Sequence, residues 1–145
     1  MSSDRERLYP TRPIVGVSIL AFKDGKILLV RRGHEPRKGQ WSLPGGVVEL
    51  GETIRDAAIR EIREECHVEI EIIKILDVLD RIFRDAEGRV QYHYVLVVLL
   101  ARYKSGELQA DSDIEAASWV DVSKLADYDL VQDQRELIQR AQEEL

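Results

Sequence analysis

Glu61, Glu64 and Glu65 lie in a stretch, residues 45–68, that reads GGVVELGETIRDAAIREIREECHV. Thr53 with Asp56 three residues on forms a capping box, so the spacing predicts a helix from about Ile54 to Cys66 with Thr53 as its N-cap. At about 100° per residue, Ile54, Ala57 and Ala58 share the face that should meet a core. Glu61 and Glu65 fall within roughly 20° of Ile54 on that wheel, and Glu64 lies beside Ala57. Arg55, Asp56, Arg60 and Arg63 point elsewhere. Three carboxylates thus stand where Leu or Ala would be expected. Unpaired and facing an interior, they would lose hydration and repel one another. Arginines reaching in from neighbouring elements would offset that, and so would divalent cations bound among the oxygens. Hard oxygen donors select Mg²⁺, Mn²⁺ or Ca²⁺ over zinc, and no Cys/His set is present to argue otherwise. A wheel turned slightly, with the glutamates in solvent, is the third arrangement.

The residues before the helix bear on that choice. Gly45 and Gly46 follow Pro44, where the backbone must turn sharply and can approach a ligand closely. Gly51 and Glu52 then lead into the helix with one more carboxylate. Gly46, five residues, Glu52, seven residues, then Arg60-Glu61-Ile62-Arg63-Glu64-Glu65-Cys66-His67-Val68 resembles the Nudix box over 23 residues of fixed internal spacing. Members of that family hydrolyse nucleoside diphosphates linked to another moiety. The charged positions match, as do the apolar ones at Ile62 and Val68. One position departs: the family's glycine near the end is His67 here. A residue just past a helix often takes the left-handed conformation, which His tolerates at a modest cost, so His67 reads as a slightly strained helix end. A direct role on substrate is the other reading.

The resemblance implies roles for particular residues. Glu61 and Glu65 become metal ligands, with the Gly45 carbonyl beside them, and the metal is Mg²⁺ or Mn²⁺. Glu64 shares a second metal or polarises the water. Glu52 lies near the metals, and Arg60 pairs with a box carboxylate to orient it; its place four residues before Glu64 suits a helix pair. Cleaving a diphosphate requires neutralised phosphate charge, an aligned and deprotonated water, and a stabilised leaving phosphate. In this family the general base often lies outside the box. The acidic stretch 111–115 offers Glu115 as first choice and Asp113 as second, Asp113 being also a candidate substrate contact; the bland reading of each is a solvated loop carboxylate.

The net charge of −6 argues against a nucleic-acid partner. A polyphosphate substrate still needs local positive charge, and Arg31, Arg32, Arg37 and Lys38, with His34 among them, lie just before the box. Arg31, Arg32 and Lys38 are the candidate phosphate contacts. One cysteine, Cys66, excludes an internal disulfide and suits a reducing compartment. No secretory signal or membrane-length apolar run is visible, so the expected location is the cytoplasm, with no membrane partner. At 145 residues a single domain is expected over 13–145, preceded by a loose arm, 1–12, that Pro10 and Pro13 keep irregular and that could pair across a homodimer.

The elements that must hold these residues follow in order. Residues 14–22 and 26–32 read as strands joined by Asp24-Gly25, a hairpin signal. Gly39-Gln40-Trp41-Ser42-Leu43-Pro44 looks like the family's approach to the box, with Trp41 read as packing. Residues 68–83 are rich in β-branched side chains, 85–89 turn, and 90–103 form the most apolar strand, apolar on both faces from Tyr94 to Leu100 and so expected to be central. A short strand, 117–120, surrounds Trp119, and a last helix, about 130–144, carries Leu130, Val131, Leu137, Ile138 and Ala141. Strands flanked by two helices imply an α/β protein, a mixed sheet between helices; the resemblance implies the Nudix α/β/α sandwich.

Further similarities extend beyond the box. Arg12-Pro13, Lys38-Gly39-Gln40-Trp41, Tyr92-His93-Tyr94 and Ser105-Gly106-Glu107-Leu108 look like the ADP-ribose pyrophosphatase type. The downstream proline marking many such enzymes is Phe83 here. Phe83, Tyr92 and Tyr94 could stack on adenine, but read better as core. The favoured expectation is a pyrophosphatase that cleaves ADP-ribose to AMP and ribose 5-phosphate. Its alternatives are a nucleoside triphosphate pyrophosphohydrolase of the house-cleaning kind and a non-catalytic nucleotide-sugar sensor.

Overall fold

Asp24 and Gly25 both take positive φ, 50° and 76°, the conformation that joins two strands with a two-residue turn. They connect β1 (Ile14–Lys23) to β2 (Lys26–Arg32), as the sequence predicts. The computed structural model describes residues 7–33, 37–130 and 133–145. Two short strands follow, β3 (Trp41–Ser42) and β4 (Gly45–Val47), then helix α1 (Ile54–Cys66). A long hairpin comes next, β5 (Glu69–Arg84) and β6 (Val90–Ser105). Asp85 shapes its turn, accepting the Glu87 and Arg89 N–H groups on Oδ1 at 2.9 and 3.0 Å. The chain ends with β7 (Ile114–Asp121), a 3₁₀ helix (Val122–Asp127) and helix α2 (Gln134–Glu143).

The strands form one mixed sheet. β1 runs parallel to β6, from Ile14 opposite Tyr94 to Phe22 opposite Arg102, while β4 lies antiparallel to the first half of β1. β2 pairs with β7 and β3, and β5 forms the edge beyond β6. Each face carries a helix. Under α1 the alternate residues Val17, Ile19, Ala21, Val97, Leu99 and Ala101 meet Ala57, Ala58, Ile62 and Cys66. On the other face Leu20, Phe22, Val98 and Leu100 meet Leu137, Ile138 and Ala141. Period-two alternation on the strands thus feeds two separate cores. Ion pairs from Arg81 to Asp133 (2.7 Å) and from Arg140 to Asp77 (2.8 Å) tie α2 and its leading residue to β5.

Several elements differ from the sequence expectation. β6 is central, but its two-sided cover begins at Val97; Tyr94, Val95 and Leu96 are only half-buried. Phe83, Tyr92 and Tyr94 do not join either core. They form a partly exposed ladder, with ring centroids 6.5 and 6.4 Å apart. The last helix begins at Gln134, since Leu130 is in extended conformation and bridges Trp41; Val131 lies outside the described residues. Trp41 is a packing residue, edge-on to Tyr128 at 5.1 Å. Of the arm, residues 1–6 lie outside the described residues. Tyr9 is held against the β5–β6 hairpin: its N–H donates to Gln91 O at 2.8 Å and its hydroxyl to Asp85 Oδ2 at 2.8 Å. Among the described residues no helix is long and apolar enough to cross a membrane.

Candidate functional site

Thr53 starts α1 as its spacing predicts, with Oγ1 accepting the Asp56 N–H at 3.0 Å. The buried stripe is Ala57, Ala58, Ile62 and Cys66, so the wheel is turned slightly from one centred on Ile54. Glu61 and Glu65 sit half-buried at the margin of that stripe, and Glu64 projects into solvent. Two of the three carboxylates therefore face inward, and the third does not.

Arg60 does not point away, contrary to the wheel. Its side chain curls back over the acids. Nε and Nη2 donate to the two oxygens of Glu52 at 2.7 and 3.0 Å, and Nη2 also donates to Val47 O at 3.1 Å. Nη1 donates to Glu61 Oε1 at 3.0 Å and to Glu64 Oε2 at 3.3 Å. The Glu64 contact, predicted from the i,i+4 spacing, is the longest of the five; the forked grip on Glu52 dominates. Glu52 Oε1 also accepts the Glu49 N–H at 3.0 Å. Arg60 holds Glu52 below the usual carboxylate range, and Glu52 raises the Arg60 guanidinium in return.

Under these acids lies β4. A Cβ on Gly46 would stand 2.2 Å from Glu61 Oε1, so the Glu61 carboxylate packs directly on the bare Cα. At Gly45 a Cβ would meet Val17 O, at 2.1 Å. Glycine is required at both for close approach rather than for φ. Glu65 is the uncompensated member. Burial first, then its hydrogen bond with Glu61 and the charges of Glu61, Asp113 and Glu64, push its carboxyl up to about 9. Glu61 is raised too, mainly by burial, with Arg60 opposing. Glu65 Oε2 is buried and has no hydrogen-bond partner. Arginine reaching in thus accounts for Glu52, Glu64 and one oxygen of Glu61, and leaves Glu65 unanswered.

The segment after β6 closes over the end of α1. The Gln109 N–H donates to Cys66 O at 3.0 Å and the Asp111 N–H to Glu65 O at 2.9 Å. Asp113 follows, its carbonyl accepting the Gly33 N–H at 3.0 Å, and its charge acts on Glu65. Glu115 is on β7 rather than in a loop. It is the extra residue of a bulge opposite Arg31 and Arg32, and its Oε1 accepts from Arg31 Nη2 at 3.2 Å. Arg31 also lies over the Trp41 ring at 5.7 Å. Arg32 closes β2, its N–H donating to Gln40 O, and Lys38 is exposed in the turn that follows; His34 lies outside the described residues. Cys66 is buried, and its thiol is pushed up to about 12 by burial and by Glu65, which suits packing rather than nucleophilic attack. Val47, Glu49 and Gly33 serve the site and were not legible beforehand. Only Gly33 carried a signal, as a glycine at a strand end facing a close backbone: its Cβ would meet Asp113 O at 2.7 Å.

A family model of the NUDIX domain matches residues 10–141. The chain belongs to the NUDIX family. It is 39% identical over 119 residues to the ADP-ribose pyrophosphatase of Methanocaldococcus jannaschii, covering 82% of this chain and 68% of that protein. Among solved structures, the MutT NUDIX hydrolase of Burkholderia pseudomallei is 34% identical, with a TM-score of 0.71 and coverage of 92% of this chain and 98% of that one. The NUDIX domain of Shewanella oneidensis NrtR, complexed with ADP ribose, shares the fold at 24% identity and a TM-score of 0.71, covering 92% and 89%.

NUDIX hydrolases generally use divalent cations, and the site can be tested for one. Its donors are hard oxygens, and the orphaned Glu65 Oε2 beside Glu61 is what a cation would satisfy. No three His, Cys, Asp or Glu side chains among the described residues already form a cage; Arg60 holds Glu61 Oε1 and Glu64 Oε2. The donor set, with Glu61 and Glu65 already neighbours, fits a hard dication.

Proposed function

We propose that this NUDIX hydrolase cleaves the diphosphate linkage of a nucleoside diphosphate derivative, with ADP-ribose as favoured substrate and AMP and ribose 5-phosphate as products. Mg²⁺ or Mn²⁺ is the proposed cofactor. The observation that carries the reading is the Glu61–Glu65 pair: two half-buried acids on one helix margin, one with an oxygen that no protein group satisfies. Such a pair is costly for a fold that needs only stability, and it suits a fold that binds dications. The likeness to the Methanocaldococcus jannaschii ADP-ribose pyrophosphatase supports the substrate.

In this reading Glu61, Glu65 and the Gly45 carbonyl hold the cation, with Glu64 at its exposed edge. When bound, the cation supplies charge neutralisation for the diphosphate oxygens and Lewis acidity towards water. Arg60 fixes Glu61 and Glu64 through Nη1 while Glu52 anchors the guanidinium from behind. Of the two candidates for accepting the proton from the attacking water, Asp113 is favoured over Glu115. Its charge acts on Glu65, whereas Glu115 is engaged with Arg31. Arg31, Arg32 and Lys38 offer positive charge to the phosphates from the β2 end.

A nucleoside triphosphate pyrophosphohydrolase is the second reading. Product analysis on a substrate panel, with and without Mg²⁺, separates the two. AMP from ADP-ribose supports the first reading. Pyrophosphate from triphosphates, with ADP-ribose untouched, contradicts it. A sensor would bind ADP-ribose without turnover, and Glu64→Gln and Glu65→Gln, made singly, would leave it unchanged.

A further inference from the structure

His67 ends α1 in the left-handed conformation, φ 59° and ψ 28°, with its N–H donating to Arg63 O at 3.0 Å. That much the sequence anticipates. The side chain is turned across the helix end, where Nε2 donates to Asp111 Oδ2 at 2.7 Å. The other Asp111 oxygen accepts the Ser112 N–H at 2.6 Å, and Ser112 has φ 59°. Asp111 is thereby fixed between the end of α1 and a tight backbone turn, two residues before Asp113. The same stretch is stitched to α1 by the Gln109 and Asp111 amides, and Gly106 lies so near His67 O that a Cβ would stand at 2.6 Å.

We propose that His67 is a positioning residue: through Asp111 it latches the segment 106–113 onto the C-terminal end of α1, where the Asp111 N–H is already bonded to Glu65 O, and so steadies the Glu65 end of the site. The inference rests on the reading of Glu61 and Glu65 as cation ligands and adds a residue from outside their chemistry. Glycine at position 67 would take φ 59° without strain but has no side chain to hold Asp111. His67 exchanges some conformational ease at the helix end for a grip on the opposite loop. The two backbone anchors remain without it, so its loss loosens the segment rather than freeing it. The geometry requires only that Nε2 carry a hydrogen, which neutral and charged imidazole both allow.

His67→Gly separates positioning from plain stability, because the two pull in opposite directions. The variant should keep or raise the thermal midpoint. Its amides over 107–113 should nevertheless exchange faster, by roughly three- to tenfold, and its Mn²⁺ affinity should weaken by a similar factor, as suits the loss of one solvent-accessible pair. On a cleaved substrate kcat should fall while KM holds. His67→Gln, which keeps an N–H at comparable reach, should restore exchange and affinity, and His67→Gly/Asp111→Ala should be no worse than Asp111→Ala alone. Wild-type exchange and Mn²⁺ affinity in His67→Gly would overturn the latch alone. A wild-type protein that takes up no Mn²⁺ would overturn the reading of the site and this inference with it.

Discussion

Arg60 grips both oxygens of Glu52, at 2.7 and 3.0 Å, and with its remaining nitrogen reaches Glu61 at 3.0 Å. One guanidinium therefore joins the loop before α1 to the acids along it. All three side chains are largely screened from solvent, at 22%, 16% and 14% exposure. Removing the guanidinium would leave the two largely screened carboxylates without a counter-charge. Arg60→Ala should lower stability by about 2–4 kcal/mol, read from urea unfolding, and abolish most activity. Arg60→Lys keeps the charge but cannot fork, and should fall between.

Gly45 and Gly46 adjoin each other and should fail differently. Gly45→Ala drives a methyl into the Val17 carbonyl, a backbone group that cannot step aside, so it should destabilise the fold by about 1–3 kcal/mol. Gly46→Ala meets the end of the Glu61 side chain, which can swing away. It should fold nearly as wild type yet bind Mn²⁺ roughly 10- to 100-fold more weakly. Paired thermal melts and Mn²⁺ titrations check both. Equal loss of stability in the two would contradict the placement of Glu61 over Gly46.

Much of this was legible in the chain because it depended on local rules. Thr53 with Asp56 marked the helix start, Asp24-Gly25 marked the hairpin, and the period of α1 put Glu61 and Glu65 on its inward side. What escaped depended on reach and on pairing. A wheel records where a Cβ points, and the Arg60 guanidinium, several bonds further out, returns over the face its Cβ avoids. Strands of two or three residues, Trp41–Ser42 and Gly45–Val47, have no period to detect. Glu115 looked like loop because acidic residues precede it, yet pairing with β2 makes it the bulge of a strand. Phe83, Tyr92 and Tyr94 carried core-like side chains beyond the reach of either helix.

The two candidate bases should also part. Asp113→Asn should cost roughly 100-fold in kcat, as loss of a general base does. Glu115→Gln should cost less than tenfold, since its ion pair with Arg31 is partly open to solvent and contributes little. Single-turnover rates at saturating substrate and Mg²⁺ read this directly. The opposite order would return the base to Glu115.

Without metal, stability should depend on pH through Glu65. Its carboxyl is raised from 4.5 to about 9 in the folded protein. Below the lower value both states hold the proton. Between the two values only the folded state holds it, so the folded state binds more protons and its stability declines as pH rises, by at most about 1.4 kcal/mol per pH unit. The stability lent by the proton is complete below pH 4.5 and gone once pH passes about 9. Thermal melts in chelator from pH 5 to 9 (roughly the window those two values set) should fall steadily for wild type and much less for Glu65→Gln.

The same proton offers the most direct test of the cation site. At pH 7 a hard dication entering between Glu61 and Glu65 must displace the proton that Glu65 carries. Calorimetric titration of Mn²⁺ into wild type, repeated in buffers of different ionisation enthalpy, should report release of about one proton per site, and Glu65→Gln should release almost none. Binding with no proton release, or no binding at all, would contradict the account.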